Sequence, residues 1–264
     1  MRLRTTAILA TAALGLTVAG AASAADLPIA PIGTGAKTCV PKRGASCRGI
    51  THHRINLAGQ DLRGVQFHGA RLHHADFRQA DLRGARFDGA KLRGADFSGA
   101  KLKGAYFGPP RTTRKGANQA QGAPACNPKC SGADLGGANF YKANLTGADL
   151  SWAYVASANL TNATLTGANL AHANLSSANL TGAVLDRANL SSAFLTSANL
   201  TSAYFTDANL SANLTSANLT YAHLAGADLT YAYMYAANTA WTDFTGAKWS
   251  NTTCPNGTVT SSRC

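Results

Sequence analysis

Residues 133–177 read ADLGG, ANFYK, ANLTG, ADLSW, AYVAS, ANLTN, ATLTG, ANLAH and ANLSS, nine consecutive units of five. Each unit is an alanine, a mostly polar residue, a large apolar residue (the centre) and two small or polar residues. Outward from this stretch, centres fall every five residues from Leu57 to Phe107 and again from Leu135 to Leu210. A one-residue deletion in Leu210-Ser-Ala-Asn-Leu214 shifts the phase, and eight more centres follow to Trp249, with Thr239 a degenerate one. The total is 35 repeats (11, 16 and 8).

A period of five decides the architecture, because internal repetition governs the fold wherever it occurs. Five residues of α-helix turn about 500°, so successive centres drift round the cylinder and no apolar face forms. A straight strand fails as well, since an odd period sends alternate centres to opposite faces. The pattern works if the chain turns a corner in each repeat. The centre and the alanine two before it then point inward, and the other three residues point out. Glycines such as Gly59, Gly64, Gly69, Gly84 and Gly89 supply turn conformations.

The recurring A-(D/N)-L-x-x resembles the pentapeptide-repeat family over most of the chain. That resemblance implies an all-β fold, a right-handed quadrilateral β-helix with about four repeats per coil. The first block supports the factor of four independently, because its centres alternate strictly from Leu62, Phe67, Leu72 and Phe77 to Leu102 and Phe107. On four sides this stacks Phe on Phe and Leu on Leu. About nine coils rising ~4.8 Å each make a rod ~40 Å long. The best-known relatives mimic DNA and bind type II topoisomerases in the cytoplasm, a role that demands an acidic surface.

This chain lacks one. Residues 25–130 carry 18 Lys/Arg against 6 Asp, and residues 131–264 carry 4 against 6. The front is basic and the back nearly neutral. Met1 to Arg4 is a short cationic start, Ala7 to Val18 an apolar run, and Ala22-Ser-Ala24 a small-residue cleavage site, so residues 1–24 read as a signal peptide cut after Ala24. The run is too short for a stable span, and no cysteine stands at the site for lipid attachment. The expected location is therefore secreted or in the cell envelope. Six cysteines in three local pairs agree with an oxidising compartment: Cys39 and Cys47, Cys126 and Cys130, Cys254 and Cys264. Their connectivity does not follow from sequence.

The expected organisation is an N-terminal segment at 25–54 holding Cys39 and Cys47, and a basic block at 55–107. A Pro/Gly/Lys/Arg-rich insertion follows at 108–132 with Cys126 and Cys130, then a neutral block at 133–251 and a cap at 252–264. The insertion is either an excursion looped out of one solenoid, the preferred reading, or a linker between two.

Residues twenty apart should stack, which makes the surface readable. Arg63, Arg83 and Lys103 form one cationic column beside Asp61 and Asp81; opposite it, Arg71 stacks on Lys91 and His73 on Arg93. These six cations are candidate contacts for a polyanion (nucleic acid, wall polymer or anionic lipid), or else a solvated face. Asn139, Asn159, Asn179, Asn199, Asn218 and Asn238 form a second column, with Thr161, Thr181, Thr201 and Thr220 beside it. That Asn/Thr face suits ice or glycan, although Asn ladders also stabilise stacked strands by themselves. Tyr221, Tyr231, Tyr233, Tyr235 and Trp241 point outward near the C-terminus. They either join two copies into a homodimer, as the resemblance suggests, or cap the last coil.

No catalytic, cofactor-binding or metal-ligating set is expected. His52-His53 and His73-His74 are adjacent pairs that do not converge on an ion, Cys126 and Cys130 have no second zinc-spaced pair, and Glu is absent. The many Asn-x-Ser/Thr matches are by-products of the repeat. The sequence thus points to a non-enzymatic scaffold whose partner is an unidentified protein or envelope polymer.

Overall fold

In a repeat that follows the consensus, every backbone N–H has its own acceptor, and the consensus follows from this. In Ala178-Asn179-Leu180-Thr181-Gly182, the Ala178 N–H closes a turn on the Leu175 carbonyl at 3.0 Å. Asn179 N–H donates to Ala158 in the coil before (2.9 Å), while Leu180 and Gly182 donate to Asn199 and Thr201 in the coil after (2.7 and 2.9 Å). The fifth N–H, of Thr181, has no backbone acceptor and donates to Oδ1 of Asn179 at 3.1 Å. Buried or half-buried backbone donors must be paired, so Asp or Asn stands before the centre to finish the corner. The last residue of the unit takes a positive φ, near 65° at Gly182 and 56° at Ser192. Glycine adopts that region freely and other residues pay about 1–2 kcal/mol, which explains its frequency there.

The structure, a computed structural model, describes residues 31–34, 37–107 and 132–264. Parallel single-residue bridges join positions twenty apart, as in Asn139, Asn159, Asn179 and Asn199. The chain therefore climbs as a β-solenoid, one strand spacing per twenty residues. Alanines and centres fill the interior, nearly all fully buried. Phenylalanine builds two stacks in the first block. Phe67, Phe87 and Phe107 lie face to face at 5.5 and 4.9 Å, and Phe77, Phe97 and Phe140 at 4.8 and 5.0 Å. The stacks meet edge-on, with interplanar angles of 83° and 88°. Offset stacking within a column and edge contact between columns are the arrangements the ring quadrupole favours.

The two blocks belong to one ladder. Lys91, Asp96, Lys101 and Tyr106 bridge to Asp134, Asn139, Asn144 and Asp149, and Ala133 donates to the Phe107 carbonyl at 2.8 Å as if it followed directly. Phe107 and Ala133 thus meet at a single corner of that ladder. The deletion after Leu210 is absorbed at another corner, where Ala212 bonds back across two residues to Leu210 at 2.7 Å. Bridges from Phe194 to Asn213 and Asn199 to Asn218 then resume in phase.

The ladder begins before the regular centres do. Ser46 and Thr51 already bridge to Gln66 and Arg71, so the coil reaches into the 25–54 segment expected as a cap. Cys47 fills a centre position, and Ile50 and Ile55 stand where alanine stands later. Two short antiparallel hairpins bracket the coils. β1 (Ile32–Thr34) pairs with β2 (Lys37–Cys39), and β3 (Thr252–Thr253) with β4 (Val259–Thr260). The disulfide Cys39–Cys47 ties β2 to the first coil, and Cys254–Cys264 ties the last coil to the end of the chain. Cys126 and Cys130 lie outside the described residues.

Asn159 is half-buried, and its Oδ1 takes both the N–H and the hydroxyl of Thr161. Asn159→Ala is expected to cost about 1–2 kcal/mol in denaturant unfolding by orphaning that N–H, while Asn159→Asp keeps the acceptor and most of the stability.

Candidate functional site: the outer faces

The six candidate cations divide between two faces half a coil apart. On one, Asp61 bridges to Asp81 and Asp81 to Lys101; on the other, Arg71 bridges to Lys91 and Lys91 to Asp134. The first face is largely self-neutralised. Arg63 grips Asp61 with Nε to Oδ1 at 2.8 Å and Nη2 to Oδ2 at 2.5 Å, and Arg83 grips Asp81 in the same way at 2.8 and 2.6 Å. Such two-pronged pairs fix the guanidinium in the plane of the carboxylate and hold it from other anions. Only Lys101 and Lys103 extend that column without a carboxylate of their own coil.

Arg71 and Lys91, in contrast, are exposed, and no carboxylate among the described residues stands within ion-pair distance of either. Arg93 reaches Asp134 only at 3.9 Å. His53 stacks on His73 beside them at 5.2 Å. Burial, with His53 next to it, pushes the His73 imidazole below its usual value, and Asp134 partly opposes this. The cationic ground that a polyanion meets is therefore Arg71, Lys91 and Arg93 on one face and Lys103 on the other, rather than all six residues.

A further ionic group escaped the sequence reading. Asp88 is buried, with His68 Nδ1 at 3.0 Å and Arg86 Nε at 3.2 Å. The twenty-residue interval between His68 and Asp88 is the signal that locates it. The Arg86 guanidinium in turn lies over the Tyr106 ring at 5.3 Å.

On the Asn/Thr face, Asn159 Nδ2 donates to Asn139 at 3.0 Å and Asn218 Nδ2 to Thr201 at 3.1 Å. The hydroxyls of Thr161, Thr181, Thr201 and Thr220 each turn back on the Asn of their own repeat, at 2.7, 2.7, 2.6 and 2.5 Å. The column thus exists as expected, but its hydroxyl protons are spent inside the corners, which leaves mainly methyls and acceptor lone pairs for a ligand.

The C-terminal aromatics are exposed but do not make one patch. Tyr221 and Trp241 share a corner column of the Asn/Thr face, Tyr231 lies on another corner, and Tyr233 and Tyr235 lie side by side on the face of Arg71 and Lys91 at 6.5 Å. Trp241, 79% exposed, rims an open depression of about 540 Å³ where the core ends, with Met234, Phe244, Trp249 and Arg263 around it. Among the described residues no group of three or more His, Cys or Asp is disposed to hold a metal ion.

Arg63 hydrogen bonding holds the Asp61 carboxyl down at about 2, and Arg83 and Arg78 hold Asp81 and Asp76 low in the same way. A carboxyl whose pKa is depressed by folding stabilises the fold above its unfolded value of 3.8, and loses that contribution as pH falls through the folded value. Denaturation midpoints should therefore fall between 3.8 and about 2. The double variant Asp61→Asn, Asp81→Asn, which keeps the corner oxygens, should show a shallower fall; an unchanged slope would exclude these pairs as its source.

The family model for pentapeptide repeats, built as eight copies, matches residues 43–79, 70–108, 129–162, 158–196, 183–212 and 211–248. No curated protein matches the chain significantly. Among solved structures, HetL of the cyanobacterium Nostoc, a pentapeptide repeat protein involved in heterocyst differentiation regulation, is 28% identical. That match covers 81% of this chain and 91% of HetL, with a TM-score of 0.32. QnrB1, a plasmid-mediated fluoroquinolone resistance protein, is 19% identical over 80% of this chain and 87% of its own, with a TM-score of 0.38. A pentapeptide repeat protein of the Arabidopsis thaliana thylakoid lumen is 34% identical over 50% of this chain and 70% of its own, with a TM-score of 0.19. On the strength of its repeat match from residue 43 to residue 248, this chain belongs to the pentapeptide-repeat family.

Proposed function

We propose that the protein is an exported, non-enzymatic scaffold, a right-handed solenoid with four repeats and four flat sides per coil, which meets its partners through its outer faces. The observation that carries this reading is the ladder of bridges from Ser46 to Thr253, in which most of the backbone is paired and the inward side chains are buried within the coils. The outward side chains are then left for contact, and a regular rod offers no deep cleft for chemistry. Export is supported by the cationic start, the apolar run and Ala22-Ser-Ala24, and by two disulfides, which persist outside reducing compartments. No helix among the described residues is long and apolar enough to cross a membrane. Topoisomerase binding by DNA mimicry does not suit a chain with a formal charge of +12. Mass spectrometry of protein recovered outside the cytoplasm should find an N-terminus at Ala25; recovery of the full chain inside would refute export.

The unpaired Arg71 and Lys91 favour a second reading, contact with a polyanion along that face. Neutralising a linear polyanion releases counterions, so binding of this kind weakens steeply with salt. On immobilised heparin, Arg71→Ser, Lys91→Ser, Arg93→Ser should elute well before the parent, whereas Arg63→Ser, Arg83→Ser should shift little because those arginines are held by aspartates. Equal shifts would contradict the division between the faces, and flow-through of the parent at low salt would leave the basic block as solvated surface.

A further inference from the structure

The face that is cationic in the first block changes character in the second. Its bridging column runs Tyr154, Asn174, Phe194, Asn213, Tyr233, an aromatic ring on every second coil with an amide between. The three rings are 42%, 50% and 45% exposed. Two strand spacings separate successive rings, about 9.6 Å. The Tyr154 ring covers the place that a Cβ of Gly136 would take, at 2.8 Å, so it leans over the coil before it. Beside the column stand Ala156, Ser176, Thr196 and Thr215, with Ser157, Ser177, Ser197 and Ser216 at the corner. From Tyr154 to Ala236 the face carries no charged residue.

These rings occupy the position before the centre, where Asn or Asp closes the corner in most repeats. A ring offers no oxygen to the N–H of Ala156, Thr196 or Tyr235, so the fold gives up a corner hydrogen bond at each of them. Folding does not ask for rings here; an exposed apolar array of this kind marks a contact site.

We propose that this column binds an extended, uncharged β-1,4-linked glycan of the cellulose or chitin type along the axis of the solenoid. In such a chain alternate sugars present the same face, so its natural repeat is the disaccharide. The repeat of the protein is likewise two coils. The C–H face of the first, third and fifth sugars would lie on Tyr154, Phe194 and Tyr233, and hydroxyls of the sugars between them would meet Asn174 and Asn213. A globular partner without internal repeats lacks that translational period, and a nucleic acid would need cations that this stretch does not supply. The site is separate from Arg71, Lys91 and Arg93 and does not depend on polyanion binding.

Calorimetry of the purified protein with cello- and chito-oligosaccharides of increasing length should show affinity rising to about five units, insensitive to salt. Phe194→Asn restores the corner acceptor and should fold at least as well as the parent. It should weaken binding by about ten-fold or more, the loss expected when a central aromatic anchor is removed. Tyr204→Asn, an exposed ring on another column that stacks on His223 at 4.6 Å, should leave binding unchanged. Absence of binding to either series, or equal effects of the two variants, would overturn the proposal. So would a parent dimer that Phe194→Asn dissociates with no change in sugar binding, which would assign the column to self-association.

Discussion

The hydrogen bond from the N–H after each centre to the side-chain oxygen before it is what allows this chain to turn a corner every five residues. Four of the five donors in a repeat are met by backbone carbonyls, two of them in the coil after, one in the coil before and one within the turn. The fifth faces no carbonyl, and without a carboxylate or amide it would stand unpaired at an edge half-shielded from water. Asn and Asp reach it because their oxygen sits two bonds beyond Cβ, the length that reaches an N–H two residues on. The tolerance of the other positions follows. Alanine fills the narrow corner, the centre fills the axis, and the last residue need only accept a positive φ.

Coil-to-coil register then depends on that local closure. Because each corner is completed within its own repeat, the ladder survives both irregularities in the chain. The deletion after Leu210 tightens one turn and leaves Asn199 over Asn218, and Ala133 closes on the Phe107 carbonyl as the next repeat in sequence would. Interior packing reinforces the register in the first block, where two Phe stacks interlock edge to face and a slip of one repeat would set rings against leucines. Solenoid ends have no neighbour to supply these bonds, and both carry a hairpin and a disulfide.

Much of this was legible in the period. Five residues with Ala and Leu or Phe at fixed offsets place every inward side chain, and the Leu/Phe alternation places the stacks. Where the ladder starts was not, because Cys47, Ile50, His52 and Ile55 depart from the consensus while keeping its inward and outward positions. Charge counting exposed the basic block but could not separate Arg63 and Arg83, which are turned onto aspartates two residues before them, from Arg71 and Lys91, which are not. That difference rests on whether an Asp stands before the centre, a local fact that a tally of charges hides. The Asn/Thr columns were equally visible, yet their hydroxyls turn inward to the corner oxygens, a direction that no spacing shows.

The corner bond also supplies a way to tell surface that serves the fold from surface that serves something else. Asn or Asp before a centre needs no explanation beyond the N–H it satisfies, however regular its column looks. A residue at that position that cannot accept a hydrogen bond has displaced one that could, and the fold is weaker for it by about 1 kcal/mol at each site. Arg71 and Lys91 in the first block and Tyr154, Phe194 and Tyr233 in the second are such residues on one face, but Arg86 and Lys248 hold the same position on a second face, and Lys101, Val184 and Tyr204 on a third. The loss alone is therefore ordinary tolerance of a strong fold, and it is the order of the residues that distinguishes a face. On the face of Arg71 a pair of cations on successive coils gives way to exposed rings on alternate coils with amides between them, and the proposed contact with a linear ligand rests on that period.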